Sequence, residues 1–170
     1  MILRMSAAQA ATPLLDAEHA AFILLPGISI TAASRAEGNR PVLGRALGCR
    51  VAPDRSRVAI LIPGDQNPAL VAALGASRAI AVVFSQPSTH RTIQLKGTDA
   101  ELEPAAAADR ECSRRWTEGF VAELAGLGYG ASLVETFLWC DPQGLVTVSF
   151  TPCAAFQQTP GPGAGAPLAR

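Results

Sequence analysis

From Ala21 onward the chain repeats one unit: a short apolar or alternating run, rich in β-branched residues, closed by Gly, Pro, Asn or Asp. The runs are AFILLPGISITAAS, RPVLGRALGCRVAP, RVAILIPG, AIAVVFSQP and HRTIQLKGTDAEL, with GLVTVSFTP following later. Such runs bounded by turn residues predict strands. The connections are short, DRS between Val51 and Arg57 being one of them. Strands that are neighbours in sequence pair as hairpins, so an antiparallel barrel is expected rather than a doubly wound parallel sheet.

Helical signals are fewer. Thr12 as cap with Pro13 at the first position predicts a short helix to Ala21. NPALVAALGAS predicts another, capped by Asn67 with Pro68 following. Between Ala105 and Leu127, Cys112, Trp116, Phe120, Leu124 and Leu127 recur at three to four residues and form one apolar stripe. GLGYG ends that long helix, and SLVETFLW fits a further helix. Residues 1–159 thus read as a single domain. Residues 160–170 form a Pro/Gly-rich tail, irregular and mobile, with Gln158 and Thr159 the residues through which it would otherwise reach a site.

The balance of residues narrows the function. With 49% hydrophobic and 16% charged residues, 170 residues supply one full core. A net charge of zero gives no broad positive field, which argues against nucleic acid or an anionic membrane as partner. No apolar run is long enough to span a bilayer. Cys49, Cys112, Cys140 and Cys153 show no metal or disulfide spacing, so a reducing, cytoplasmic setting is expected. His19 and His90 have no metal-ligand spacing either, no G-x-S-x-G elbow is present, and neither GLGYG nor GPGAG stands between a strand and a helix.

What remains is local chemistry for an anion. On an extended strand His90, Thr92, Gln94 and Lys96 share one face, and Arg91, Ile93 and Leu95 the other. Ile93 and Leu95 face a core, so Arg91 reaches a polar edge or a ligand. Arg45 and Arg50 lie five residues apart on a strand, hence on opposite faces. Guanidinium forks suit phosphate or carboxylate. Gly44, Ala46 and Gly48 around them leave room for a flat ligand near the backbone.

These residues resemble the pyridoxamine 5′-phosphate oxidase-like, FMN-binding split-barrel family. The likeness covers most of Ala20 to Glu103: a strand with Arg45, a hairpin into RVAILIPG beginning twelve residues later at Arg57, a short helix, then AIAVVFSQPSTHRTIQLKG. The resemblance implies an α+β fold, mainly β: a split β-barrel of about six antiparallel strands with one long late helix. It implies FMN as cofactor, a homodimer with sites at the interface, and a small-molecule substrate or electron donor. Arg45 falls at the FMN phosphate, Arg50 at a substrate phosphate, and Thr92, just after Arg91, at a flavin-contacting glutamine, with Gln94 next on that face. The family's Ser-Arg-Lys cluster before the short helix is replaced by Asp65, Gln66 and Asn67, leaving Gln66 as the candidate donor. The tryptophan and arginine that the oxidases carry near the C-terminus are also absent from FQQTPGPGAGAPLAR. The reading is therefore an FMN-dependent oxidoreductase of unknown substrate. The alternative is a non-catalytic module on the same fold that holds flavin, haem or another planar anion.

Overall fold

The computed structural model describes residues 13–168. It is an α+β fold with nine strands in two antiparallel sheets. β1 (Ser29–Arg35), β2 (Pro41–Ala46), β5 (Ile80–Ser85), β6 (Thr92–Gly97) and β9 (Ala154–Gln157) form one sheet, ordered β2-β1-β5-β6-β9. β3 (Cys49–Val51), β4 (Val58–Pro63), β7 (Glu101–Pro104) and β8 (Leu145–Phe150) form the other, ordered β3-β4-β8-β7. Ile30, Val82, Phe84, Ile93 and Leu95 of the first sheet and Ile60, Ile62, Val148 and Phe150 of the second are buried in one core.

The strand count exceeds the expected six because two runs serve both sheets and β9 forms in the stretch read as irregular. RPVLGRALGCRVAP leaves the first sheet after Ala46 and enters the second at Cys49. Leu61 pins that corner: it accepts from Leu47 N at 2.7 Å, and its own N–H donates to Gly48 O at 3.1 Å. A Cβ on Gly48 would press on Leu61 Cδ1 at 2.9 Å, so the chain can cross only with a bare backbone. HRTIQLKGTDAEL divides in the same way into β6 and β7. The result is two sheets joined at their edges, not one closed barrel.

Helix α1 (Ala17–Ile23) begins later than Pro13, because Asp16, not Thr12, caps it by accepting from His19 N at 2.7 Å. Thr12 itself lies outside the described residues. Phe22 and Ile23, expected in a strand, close this helix and bury against the core. α2 (Pro68–Ser77) lies where Asn67-Pro68 predicts it. α3 (Ala107–Ala125) buries Trp116 and Phe120, which stack with centroids 5.0 Å apart, and Trp116 Nε1 donates to Ile28 O at 2.8 Å. Leu127, expected on the same stripe, is exposed beyond the helix end. α4 (Ala131–Leu138) follows, burying Val134 and Leu138.

The expected loose tail is instead tied down. β9 extends the first sheet beside β6. Past it the chain turns back: Gly165 N donates to Gln157 O at 2.7 Å, Gln157 N to Ala166 O at 2.8 Å, and Leu168 N to Ala155 O at 3.0 Å. Backbone pairing of this kind needs no particular side chains, which is why a Pro/Gly composition conceals it.

Candidate functional site

The site is best built from β2 outward. Arg45 alternates with Gly44 and Ala46, which are buried, so its side chain leaves the sheet on the opposite face. Its guanidinium carbon lies 4.6 Å from the centre of the Phe137 ring and 5.8 Å from that of Phe120. Among the described residues it has neither an ion-pair partner nor a hydrogen-bond acceptor, and burial alone holds its pKa below the ordinary value. A half-buried cation facing only aromatic rings is stabilised in part by their quadrupoles and still lacks an anion. It opens on a cavity of about 200 Å³ shared with Gln66, Asn67, Pro63 and Leu138.

The start of α2 forms the opposite wall. Asn67 turns its amide to Pro63 O at 2.8 Å, so no side chain caps the helix, and the N–H groups of Ala69 and Leu70 have no acceptor among the described residues. Gly44 makes this possible in a way the sequence does not suggest. A Cβ there would fall on Asn67 Oδ1, so the open space is occupied by Asn67 rather than left for a flat ligand. Gln66 Nε2 donates to Trp139 O at 2.9 Å, which fixes its amide at the mouth of the cavity. Arg45 and Gln66 thus line one cavity.

Gln94 joins them at the level of the sheet. Register places Arg45 opposite Thr31, Thr31 opposite Val83, and Val83 opposite Gln94, so all four line one row on the outer face. The strand spacing puts Gln94 roughly 14 Å from Arg45 along that row. Thr92 shares the face, but its polar groups are spent internally. Its hydroxyl donates to His90 O at 2.9 Å and meets Ser85 Oγ at 2.7 Å, its N–H donates to Thr159 Oγ1, and its carbonyl accepts from Gln158 N. His90 does not belong to the strand: with φ at +59° it sits in the preceding turn.

Two other predicted residues lie elsewhere. Arg91 is paired with Glu18 at 2.7 Å and covers the Phe22 ring at 4.4 Å, so the polar edge it reaches is α1. Arg50 lies on β3 with its Nε 2.6 Å from Oδ1 of Asp109, which is only 4% exposed. The other oxygen of Asp109 accepts from Ala106 N and from Thr147 Oγ1. Arg50 therefore answers a buried carboxylate at the start of α3 and does not face the Arg45 cavity. Sequence reasoning missed the wall supplied by Phe137. The signal was present in SLVETFLW, where Val134 and Leu138 form one apolar pair at helical spacing and Leu133 and Phe137 a second.

No protein-family model matches the sequence, and no curated protein is significantly similar to it. Solved structures do share its fold. HupZ of Group A Streptococcus aligns over 85% of this chain and 95% of its own, with 15% identity and a TM-score of 0.51. Protein Rv2991 of Mycobacterium tuberculosis aligns over 88% of both chains, with 15% identity and a TM-score of 0.50. A candidate pyridoxamine 5′-phosphate oxidase from Lactobacillus delbrueckii aligns over 86% of this chain and 97% of its own, with 13% identity and a TM-score of 0.50. The two-sheet architecture is that of the pyridoxamine 5′-phosphate oxidase-like split barrels, as the sequence resemblance implies. No helix among the described residues is long and apolar enough to cross a membrane.

Proposed function

We propose that this chain is a flavin-binding split-barrel protein that takes FMN, pairs as a homodimer, and serves as an oxidoreductase for a small-molecule substrate or electron donor. The observation that carries the reading is Arg45: a half-buried guanidinium with no carboxylate partner among the described residues, facing the uncapped start of α2 across a small cavity. A phosphate monoester fits this donor set, because the guanidinium and the helix amides both favour negative charge and neither has a protein acceptor to lose. When bound, FMN would supply the redox chemistry. The chain's own contributions are the anchor at Arg45, the amide of Gln66, and the neutral face bearing Thr31, Val83 and Gln94, on which a flat ring can lie.

Arg91 and Thr92 would support this site only indirectly, Arg91 by tying α1 to the start of β6 and Thr92 by holding the chain after β9. A second reading, a binding module without turnover, is favoured by the start of α2. Gln66 and Asn67 occupy the place of the oxidases' basic pair, so the only cationic grip on a phosphate is one guanidinium.

Absorbance of the purified protein, recorded after incubation with FMN and gel filtration, tests the reading. A two-band flavin spectrum should be retained. Arg45→Ala should weaken FMN binding by about 1.5–3 kcal/mol, roughly ten- to a hundredfold in Kd, with little change in melting temperature. Equal affinity in the variant would remove Arg45 from the site. Reduction of bound flavin with turnover by a nicotinamide donor would decide for the enzyme over the binding module.

A further inference from the structure

A second cavity is larger than the one at Arg45. It has a volume of about 540 Å³ and opens where the link between α1 and β1 meets β3 and α3. The two cavities share no residue, and the stacked Trp116–Phe120 pair lies between them, Trp116 lining one while Arg45 covers Phe120 from the other. The size is in the range of small-molecule sites, roughly 300–1,000 Å³.

Its walls are apolar. Ile23, Leu24, Leu25 and Pro26 form one side, Val51 and Trp116 the other. Leu24 and Leu25 are large side chains left over 40% exposed beside it, apolar area that no element among the described residues covers. Two cations stand in the same lining, Arg50 and Arg115. Arg50 meets Asp109 through Nε, which leaves its Nη groups without an acceptor among the described residues. Arg115 has a single carboxylate within reach, Glu111 at 3.8 Å, which binds Arg114 more closely at 2.7 Å. Arg50, Arg114 and Arg115 balance Asp109, Glu111 and Glu118 in charge, so what the cavity offers is guanidinium N–H groups of Arg50 and Arg115 that have no acceptor among the described residues.

We propose that this cavity binds an amphipathic monocarboxylate: one carboxylate head at Arg50 and Arg115, and an aromatic or alkyl body against Leu24, Leu25 and Trp116. A single carboxylate suits the free N–H groups of the two forks, since a second negative charge would add repulsion from the buried Asp109 carboxylate. The site does not depend on whether flavin binds at Arg45.

Calorimetric titration with 2-naphthoate, and with 2-naphthamide as its neutral match in shape, tests the assignment. The acid should bind one to one and the amide at least fivefold more weakly. Arg115→Ala should weaken the acid about fivefold and leave the amide unchanged, the size expected of one exposed charge contact. Ala108→Phe, at an exposed wall position, should abolish binding of both while the melting temperature holds. Absence of binding by 2-naphthoate, equal affinity for acid and amide, or wild-type binding in Ala108→Phe would each overturn the proposal. If Ala108→Phe fails to fold, Arg115→Ala decides alone.

Discussion

Asp99 shows how a single carboxyl carries information between elements. It stands in the turn from β6 to β7, accepts from Thr151 N at 2.8 Å just past β8, and lies 3.6 Å from Arg57. Partial burial works to raise its pKa, but the Thr151 bonds and the Arg57 charge together outweigh it, and the group ends below its ordinary value. A carboxyl whose folded pKa is depressed adds stability above its unfolded value, about 3.9, and loses it as pH falls through the folded value. Asp99→Asn keeps the shape and removes the charge. It should cost at most about 1 kcal/mol at pH 7, since the site is more than a third exposed, and that difference should be smaller at pH 3, below the unfolded value. Urea unfolding at the two pH values measures it; an equal difference at both would mean that the charge is not what Thr151 and Arg57 recognise. The same scale separates the three arginines of the sequence reading. Arg45, Arg50 and Arg91 look alike in the sequence, yet Asp109 answers one, Glu18 another, and only Arg45 has no carboxylate partner among the described residues.

At the scale of elements, the packing of α3 on the link before β1 depends on two glycines. Gly27 adopts φ of +89°, and a Cβ on it would meet Gly119 O at 2.7 Å; a Cβ on Gly119 would strike Pro26. Backbone thus lies on backbone, which brings Trp116 Nε1 to Ile28 O. Gly27→Ala should destabilise by about 2–4 kcal/mol, the sum of left-handed strain and a clash that cannot relax through a side chain. Denaturant titration checks this, and a cost below 1 kcal/mol would show that α3 can shift away. Legibility varies at this scale for physical reasons. α2, β4, β5 and β8 are plain in the sequence because a Pro at the first helical position or a β-branched run marks each one, while α4 is ambiguous between helix and strand until it packs. The corner at Leu47–Gly48 is not, since alternation continues through it and only the Leu61 backbone shows that the sheet has changed. β9 is hidden because its partner strand, and not its composition, makes it a strand. For the site, Arg45 and Gln66 are candidates through the family resemblance, and the Leu133–Phe137 pair is legible as a second apolar stripe, whereas their meeting with the uncapped start of α2 becomes visible only when α4 and β2 come together.

On the whole molecule, the exposed apolar residues are not scattered. Leu43 lies two residues from Arg45 on the outer face of β2, Arg45 covers Phe137, and Phe137 follows Leu133 by one helical turn on α4. Leu43, Leu133 and Phe137 are each 64–69% exposed, and Trp139 at the end of α4 is 70% exposed. α4 carries two apolar stripes, and only the one with Val134 and Leu138 is buried in the chain. An unpartnered stripe beside the candidate flavin anchor suits a second copy, because a closed two-fold pair would cover both stripes at once and screen both Arg45 cavities from water. The proposed homodimer therefore predicts that sedimentation of the purified protein gives twice the chain mass, and that Leu133→Glu with Phe137→Glu gives the monomer with the fold intact by circular dichroism. Flavin retention should fall with the dimer, since the partner supplies the outer wall. Wild-type chain sedimenting as a monomer that still retains FMN would place the whole site within one subunit and leave the α4 stripe to some other contact.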